Sequence, residues 1–161
     1  MVRLLHVQKI LILILIFSIF LGFTSAVELY NQGLVFEKSK NYVSAIEYYK
    51  KAIDVNPNYF DAYIKIGYCY NMIKNFNMAI KYFQTAESLN PNNLDLLYNI
   101  AETYYSIENY SNAKEYINKI RKIQPKYTPA YFLEADILIS EGYFQKALDI
   151  FHHLLKDYPD D

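Results

Sequence analysis

From Ala26 onward the hydrophobic positions fall in steps of three and four, and the whole pattern then repeats. Leu29, Gly33 and Phe36, followed after a break by Tyr42, Ala45, Tyr49 and Ala52, mark one face of each of two helices. The break is short and polar, Ser39-Lys40-Asn41, and it returns as Lys74-Asn75, Glu108-Asn109 and Glu141-Gly142. A turn of that length forces the two helices to run antiparallel. Four prolines, Pro57, Pro91, Pro125 and Pro159, stand 34 residues apart. A proline ring clashes with helical geometry at the residue before it, so each second helix is predicted to stop at Asn56, Asn90, Gln124 and Tyr158.

The same period orders the rest. Small residues recur at Gly33, Gly67, Ala101 and Ala135, and strict alanines at Ala45, Ala79, Ala113 and Ala147. Three residues before each alanine stands an aromatic (Tyr42, Phe76, Tyr110, Phe144), and four after it a large apolar residue (Tyr49, Phe83, Ile117, Phe151). Bulky residues repeat at Leu29, Tyr63, Leu97, Tyr131 and at Phe36, Tyr70, Tyr104, Leu138. The small residues are expected to let helix backbones approach closely. A fixed period of this length marks stacked repeats.

These residues resemble the tetratricopeptide-repeat family over four units, 26–59, 60–93, 94–127 and 128–161. One position departs from the family pattern. A small residue is preferred near the end of the second helix, as at Ala52 and Ala86, but the later units carry Ile120 and Leu154. The resemblance implies an all-α fold, a right-handed α-solenoid of four antiparallel helix pairs preceded by an N-terminal hydrophobic helix. In that family the first helix of each repeat lines a concave groove that receives an extended or helical peptide. The corresponding residues here are Tyr30, Asn31 and Leu34 in the first unit, and Ile64, Lys65, Tyr68 and Asn71 in the second. The third unit supplies Tyr98, Asn99, Glu102 and Tyr105, and the fourth Phe132, Asp136 and Ile139. Tyrosine suits such a surface, offering apolar area at little rotamer entropy with a polar tip. Packing between repeats is an equal expectation for any one of them. Some family members grip a terminal carboxylate through Lys, Asn and Arg. Tyr30 and Leu34 stand where the first Lys and Asn would be, and Asp95 replaces a later Lys, which disfavours that mode.

The last predicted helix carries an apolar stripe of Phe144, Ala147, Leu148, Phe151, Leu154 and Leu155. A following helix would ordinarily bury part of it. Leu148, Phe151, Leu154 and Leu155 are therefore candidates for self-association, for a partner or for a membrane surface.

Residues 1–25 differ in kind. Arg3 and Lys9 precede an uncharged run from Ile10 to Val27, and Thr24-Ser25-Ala26 offers the small residues of a cleavage site. This is the layout of a secretory signal peptide. The run is also long enough for an uncleaved anchor, which would tether the chain to the membrane. Positive charge before the run and Glu28 after it predict repeats delivered outside the cytoplasm, to the periplasm or cell envelope.

Chemistry is sparse by comparison. The net charge of −1 provides no global field for nucleic acid. Cys69 is the single cysteine and reads as a small buried hydrophobe. No glycine-rich phosphate loop, paired-cysteine metal motif or His-Glu-x-x-His occurs. On a helix His153 could meet Asp149 and Asp157, but His152 points about 100° away from it, so solvated ion pairs are the better account. Asn109-Tyr110-Ser111 matches a glycosylation acceptor yet falls in a turn where Asn is expected anyway. The expectation is a non-enzymatic scaffold or adaptor without cofactor, binding a protein or peptide and assisting assembly of an envelope complex. The alternatives are a structural spacer, a homo-oligomer held by its last helix, or a metal-binding accessory protein. The residues name no partner.

Overall fold

A computed structural model describes residues 24–157, and among them all regular structure is helical. The helices come in pairs: α1 (Ala26–Lys38) with α2 (Tyr42–Val55), then α3 (Phe60–Met72) with α4 (Phe76–Leu89). The third pair is α5 (Leu94–Ser106) with α6 (Tyr110–Ile123), and the fourth α7 (Thr128–Ser140) with α8 (Phe144–Asp157). The signal or anchor expected over residues 1–25 lies, up to residue 23, outside the described residues, as do Tyr158 and Pro159. Among the described residues no helix is long and apolar enough to cross a membrane. Ser25, which the sequence offers to a cleavage site, caps α1. Its hydroxyl accepts the Glu28 N–H at 3.1 Å while the Glu28 carboxylate accepts the Ser25 N–H at 2.9 Å.

Each turn inside a pair is built the same way. The first helix ends with one residue in the left-handed region, at Lys40 (φ 60°), Lys74 (59°), Glu108 (59°) and Gly142 (83°). Reversed hydrogen bonds close it, such as Lys40 N–H to Glu37 C=O at 2.8 Å and Asn41 N–H to Phe36 C=O at 2.9 Å. In three repeats the next residue is asparagine, and its side chain then caps the second helix: Asn41 accepts from Ser44, Asn75 from Met78 and Asn109 from Asn112. One residue thus closes one helix and opens the next, which is how so short a turn suffices. In the fourth repeat Tyr143 holds that place. The second helices stop where proline dictates, at Asn56, Asn90 and Gln124, whose ψ angles of 93°, 86° and 93° are extended.

Packing follows chain order. Every helix rests on its predecessor and its successor, and the core is a ribbon between them. The small residues of the first helices receive rings from the second. A methyl group at Gly33 would lie 2.5 Å from the Tyr49 ring, and one at Gly67 2.4 Å from the Phe83 ring. In the third repeat, where the partner is the smaller Ile117, the position is Ala101, and both are buried. The glycines therefore make room for a ring rather than for a bare backbone approach. Stacked rings recur on the other side of the pairs, at Phe36–Tyr48 (5.1 Å between centroids), Tyr70–Tyr82 (5.5 Å) and Tyr104–Tyr116 (5.8 Å). Ile120, the departure from the family pattern, is fully buried in the core.

Candidate functional site

First helices meet one another across repeats. α3 packs on α5 and α5 on α7, whereas no two second helices approach as closely. The first-helix side is therefore the tighter, inner side of the stack, and the residues expected in a groove fall along it in rows of equivalent positions.

The row Tyr30, Ile64, Tyr98 and Phe132 is partly covered. Tyr30 packs on Tyr59 of the inter-repeat turn at 5.0 Å, and Tyr98 on the equivalent Tyr127 at 6.2 Å. Neither Tyr59 nor Tyr127 makes a side-chain cap for the helix it precedes. Between them Asn93 does cap, its side-chain oxygen accepting from the Leu96 N–H at 2.8 Å, and it has no ring to offer the row, which there holds Ile64. The turn residue thus either lays a ring on the first-helix row or caps the next helix. Burial, then the nearby Asp61, Tyr59 and Glu37, push the Tyr30 hydroxyl up to about 12. Phe132 remains 49% exposed despite its contact with Phe151.

The next row, Leu34, Tyr68, Glu102 and Asp136, is more open. Tyr68 is 39% exposed, standing edge-on to Tyr42 with the Lys65 ammonium 5.7 Å from its ring centre. Glu102 and Asp136 are exposed, and partial burial still raises the Glu102 carboxyl above its ordinary value. The two carboxylates both act on Tyr98, whose hydroxyl is raised first by burial and then by them. Of the remaining groove candidates, Asn31 is exposed and Asn99 half-buried.

A third row links the repeats. Asn71 donates to Thr103 at 2.7 Å, and Tyr105 and Ser140 share a contact of 3.4 Å. Glu37, absent from the expected groove set, holds the same place in the first repeat. It accepts from Lys65 at 2.8 Å and from the buried Tyr49 hydroxyl at 2.6 Å. The 34-residue register alone points to it, one period before Asn71. Asn71 and Lys65 are thus engaged in joining repeats, while Tyr68, Phe132 and Ile139 present large apolar surface. The Asn71 Oδ1 atom is buried without a hydrogen-bond partner among the described residues.

The expected stripe on α8 divides. Leu154 is only 7% exposed and Ala147 2%, so both belong to the core of their own pair. Leu154 is therefore removed from the self-association candidates. Phe151 leans on Phe132, whereas Phe144, Leu148 and Leu155 stay open to solvent.

Elsewhere the chemistry is structural. Cys69 is fully buried, and desolvation pushes its thiol up to about 12, away from the reactive thiolate. A cavity of about 360 Å³ is lined by Arg121 of α6 and by Tyr131, Glu134, Asp149, Ile150 and His153 of the fourth pair. There Arg121 pairs with Glu134 and lies 4.3 Å from the Tyr131 ring centre, whose other neighbour is the stacked His153 ring. Asp149 accepts from Gln145 at 3.1 Å. Among the described residues no group of three or more His, Cys, Asp or Glu is placed to hold a metal ion. The side chain of Asp157 lies outside the described residues.

Comparison with known proteins adds the family. Models described as tetratricopeptide repeat match residues 26–59, 48–81 and 73–135, together spanning most of the chain. No curated protein matches the sequence. Among solved structures, a crystal structure of MamA is 25% identical with a TM-score of 0.74, covering 81% of this chain and 77% of that one. A MamA fragment from Desulfovibrio magneticus RS-1 is 17% identical with a TM-score of 0.76, covering 85% and 78%. YrrB, a TPR protein with an unusual peptide-binding site, is 28% identical with a TM-score of 0.63, covering 68% and 56%. With the repeated turns, the ring-filled glycines and the family matches in agreement, the chain belongs to the tetratricopeptide-repeat family, whose folds serve as protein-interaction scaffolds.

Proposed function

We propose that this chain is an exported or membrane-tethered adaptor that seats a peptide segment of a partner along its first helices and so assists assembly of an envelope complex. The single observation that carries the groove is the exposure of Tyr68, Phe132 and Ile139 on first helices, those of the second and fourth repeats. Large apolar groups left open together favour an occupant over a bare spacer. YrrB, of similar fold, is described as having an unusual peptide-binding site, so a peptide is an occupant that a fold of this kind accepts. Export rests on Arg3 and Lys9 ahead of an apolar run.

The test is a photo-reactive residue placed in turn at Tyr68 and at Gln84, which is exposed on α4, in cells exposed to light. Adducts are expected from position 68 and not from 84. Equal capture from both positions refutes the groove. Protease added to cells stripped of their outer layer should digest the repeats without lysis, and protection would refute export.

A second reading has its own observation. Phe144 and Leu155 are each 67% exposed on α8, beside Leu148. Self-association through this face predicts a dimer by sedimentation that Leu148→Glu with Leu155→Glu dissociates. A monomer at high concentration removes that reading.

A further inference from the structure

Along one row of the groove the chemistry turns from apolar to acidic. The equivalent positions are Leu34, Tyr68, Glu102 and Asp136. Four carboxylates that cross between helices are matched by a cation, Glu37 by Lys65, Glu87 by Lys119, Glu134 by Arg121 and Glu141 by Lys114, while Asp95 accepts from the Tyr127 hydroxyl. Glu102 and Asp136 differ. Among the described residues neither side chain makes a hydrogen bond or ion pair, since only their backbone carbonyls accept, from Ser106 and Ser140. The helices that carry them, α5 and α7, contain no lysine or arginine. They sit in register on packed neighbours, with Tyr98 one turn before Glu102 and Phe132 one turn before Asp136.

Resting on the groove reading, we propose that the occupant is a basic and apolar peptide segment of a partner protein. A Lys or Arg side chain of that segment lies along Tyr98 between Glu102 and Asp136, and its apolar neighbours settle on Phe132 and Tyr68. Three physical reasons converge. Two carboxylates on neighbouring first helices, neither matched by a cation among the described residues, repel an acidic segment and attract a cationic one. The part of the Tyr98 ring that Tyr127, packed edge-on to it, leaves open adds cation–π attraction at the same spot. The molecule's net charge of −1 supplies no general pull on basic peptides, so a preference must come from this local arrangement. The first two repeats, where Lys65 is already matched by Glu37, contribute apolar contact and no charge preference.

The full-length chain in non-ionic detergent is used to select from displayed random short peptides, and affinities of the recovered peptides are measured. Recovered peptides are expected to carry Lys or Arg beside an apolar residue and to weaken as salt rises. Glu102→Gln with Asp136→Asn should lower their affinity about tenfold or more. Thermal melting of the variant checks that its fold is kept. Tyr68→Ala should weaken the same peptides without erasing their preference for Lys or Arg. Peptides that depend on Tyr68 but show no enrichment in Lys or Arg, or an enrichment in Asp or Glu, overturn the charge inference and leave the groove standing. Peptides indifferent to all three substitutions, or no recovered peptide, overturn both.

Discussion

A methyl group at Gly67 would come within 2.4 Å of Phe83, a ring that is itself only 1% exposed and has nowhere to move. Alanine is ordinarily the better helix residue by nearly 1 kcal/mol, but overpacking costs about 1–3 kcal/mol and wins here. Gly67→Ala is therefore expected to lower the denaturant midpoint. Adding Phe83→Ile should restore part of the loss, because the third repeat pairs Ala101 with Ile117 in just that way. The opposite sign is expected at Glu108. Its φ of 59° is left-handed, a conformation that costs an L residue about 1–2 kcal/mol and glycine almost nothing. Glu108→Gly should raise the melting temperature, with Gly142 as the natural precedent in the fourth repeat. A fall would mean that the Glu108 side chain contributes more than its backbone strain costs.

At the scale of the helix pair, the asparagine of the turn serves two helices. Asn75→Ala leaves its N–H bond to the Tyr70 carbonyl but removes the cap on Met78, a loss of about 1 kcal/mol seen as reduced denaturant stability. The fourth pair lacks this cap because Tyr143 occupies the place. Tyr143→Asn should stabilise the fourth pair, and faster amide exchange in α8 after the substitution would argue against the shared-cap account. The alternation of Tyr59, Asn93 and Tyr127 belongs to the same scale, since the turn between pairs can offer a ring to the preceding first helix or a cap to the next one.

Across the whole molecule the tyrosines set an upper pH limit. Burial and neighbouring carboxylates raise the hydroxyls of Tyr30, Tyr49 and Tyr116 above their ordinary value near 10, Tyr49 and Tyr116 also through hydrogen bonds to Glu37 and Glu87. The folded chain therefore holds protons that the unfolded chain releases. That contribution to stability is complete below about pH 10 and is lost as pH rises from there toward the raised values. Buried Cys69 acts in the same sense from its ordinary value of 9.0 upward. Chemical denaturation between neutral and strongly alkaline pH should show this decline, and Tyr49→Phe should make it shallower while costing stability at neutral pH. An unchanged slope would mean that the Tyr49–Glu37 bond does not survive in solution.

Much of the fold was legible because it is local. The period, the helix pairs and the proline stops could be read from spacing alone. The left-handed residue at Lys40, Lys74 and Glu108 could not, since lysine and glutamate carry no signal for it and the closing hydrogen bonds impose it. The groove was legible as a set of register positions but not as a surface. Tyr30 and Tyr98 turned out to be half-buried against rings from the following turn, and Glu37 was missed although its register matches Asn71. Leu154 looked like part of an open stripe and proved to be core.

By itself, then, the sequence determined repeating helical hairpins and the side on which each residue stands, because helix periodicity and proline sterics act within a few residues. Only the tertiary structure decided which carboxylates are matched and which, Glu102 and Asp136 among them, are left without a cation among the described residues. Such pairing depends on distances between residues of different repeats, and those distances are fixed by how one hairpin nests on the next.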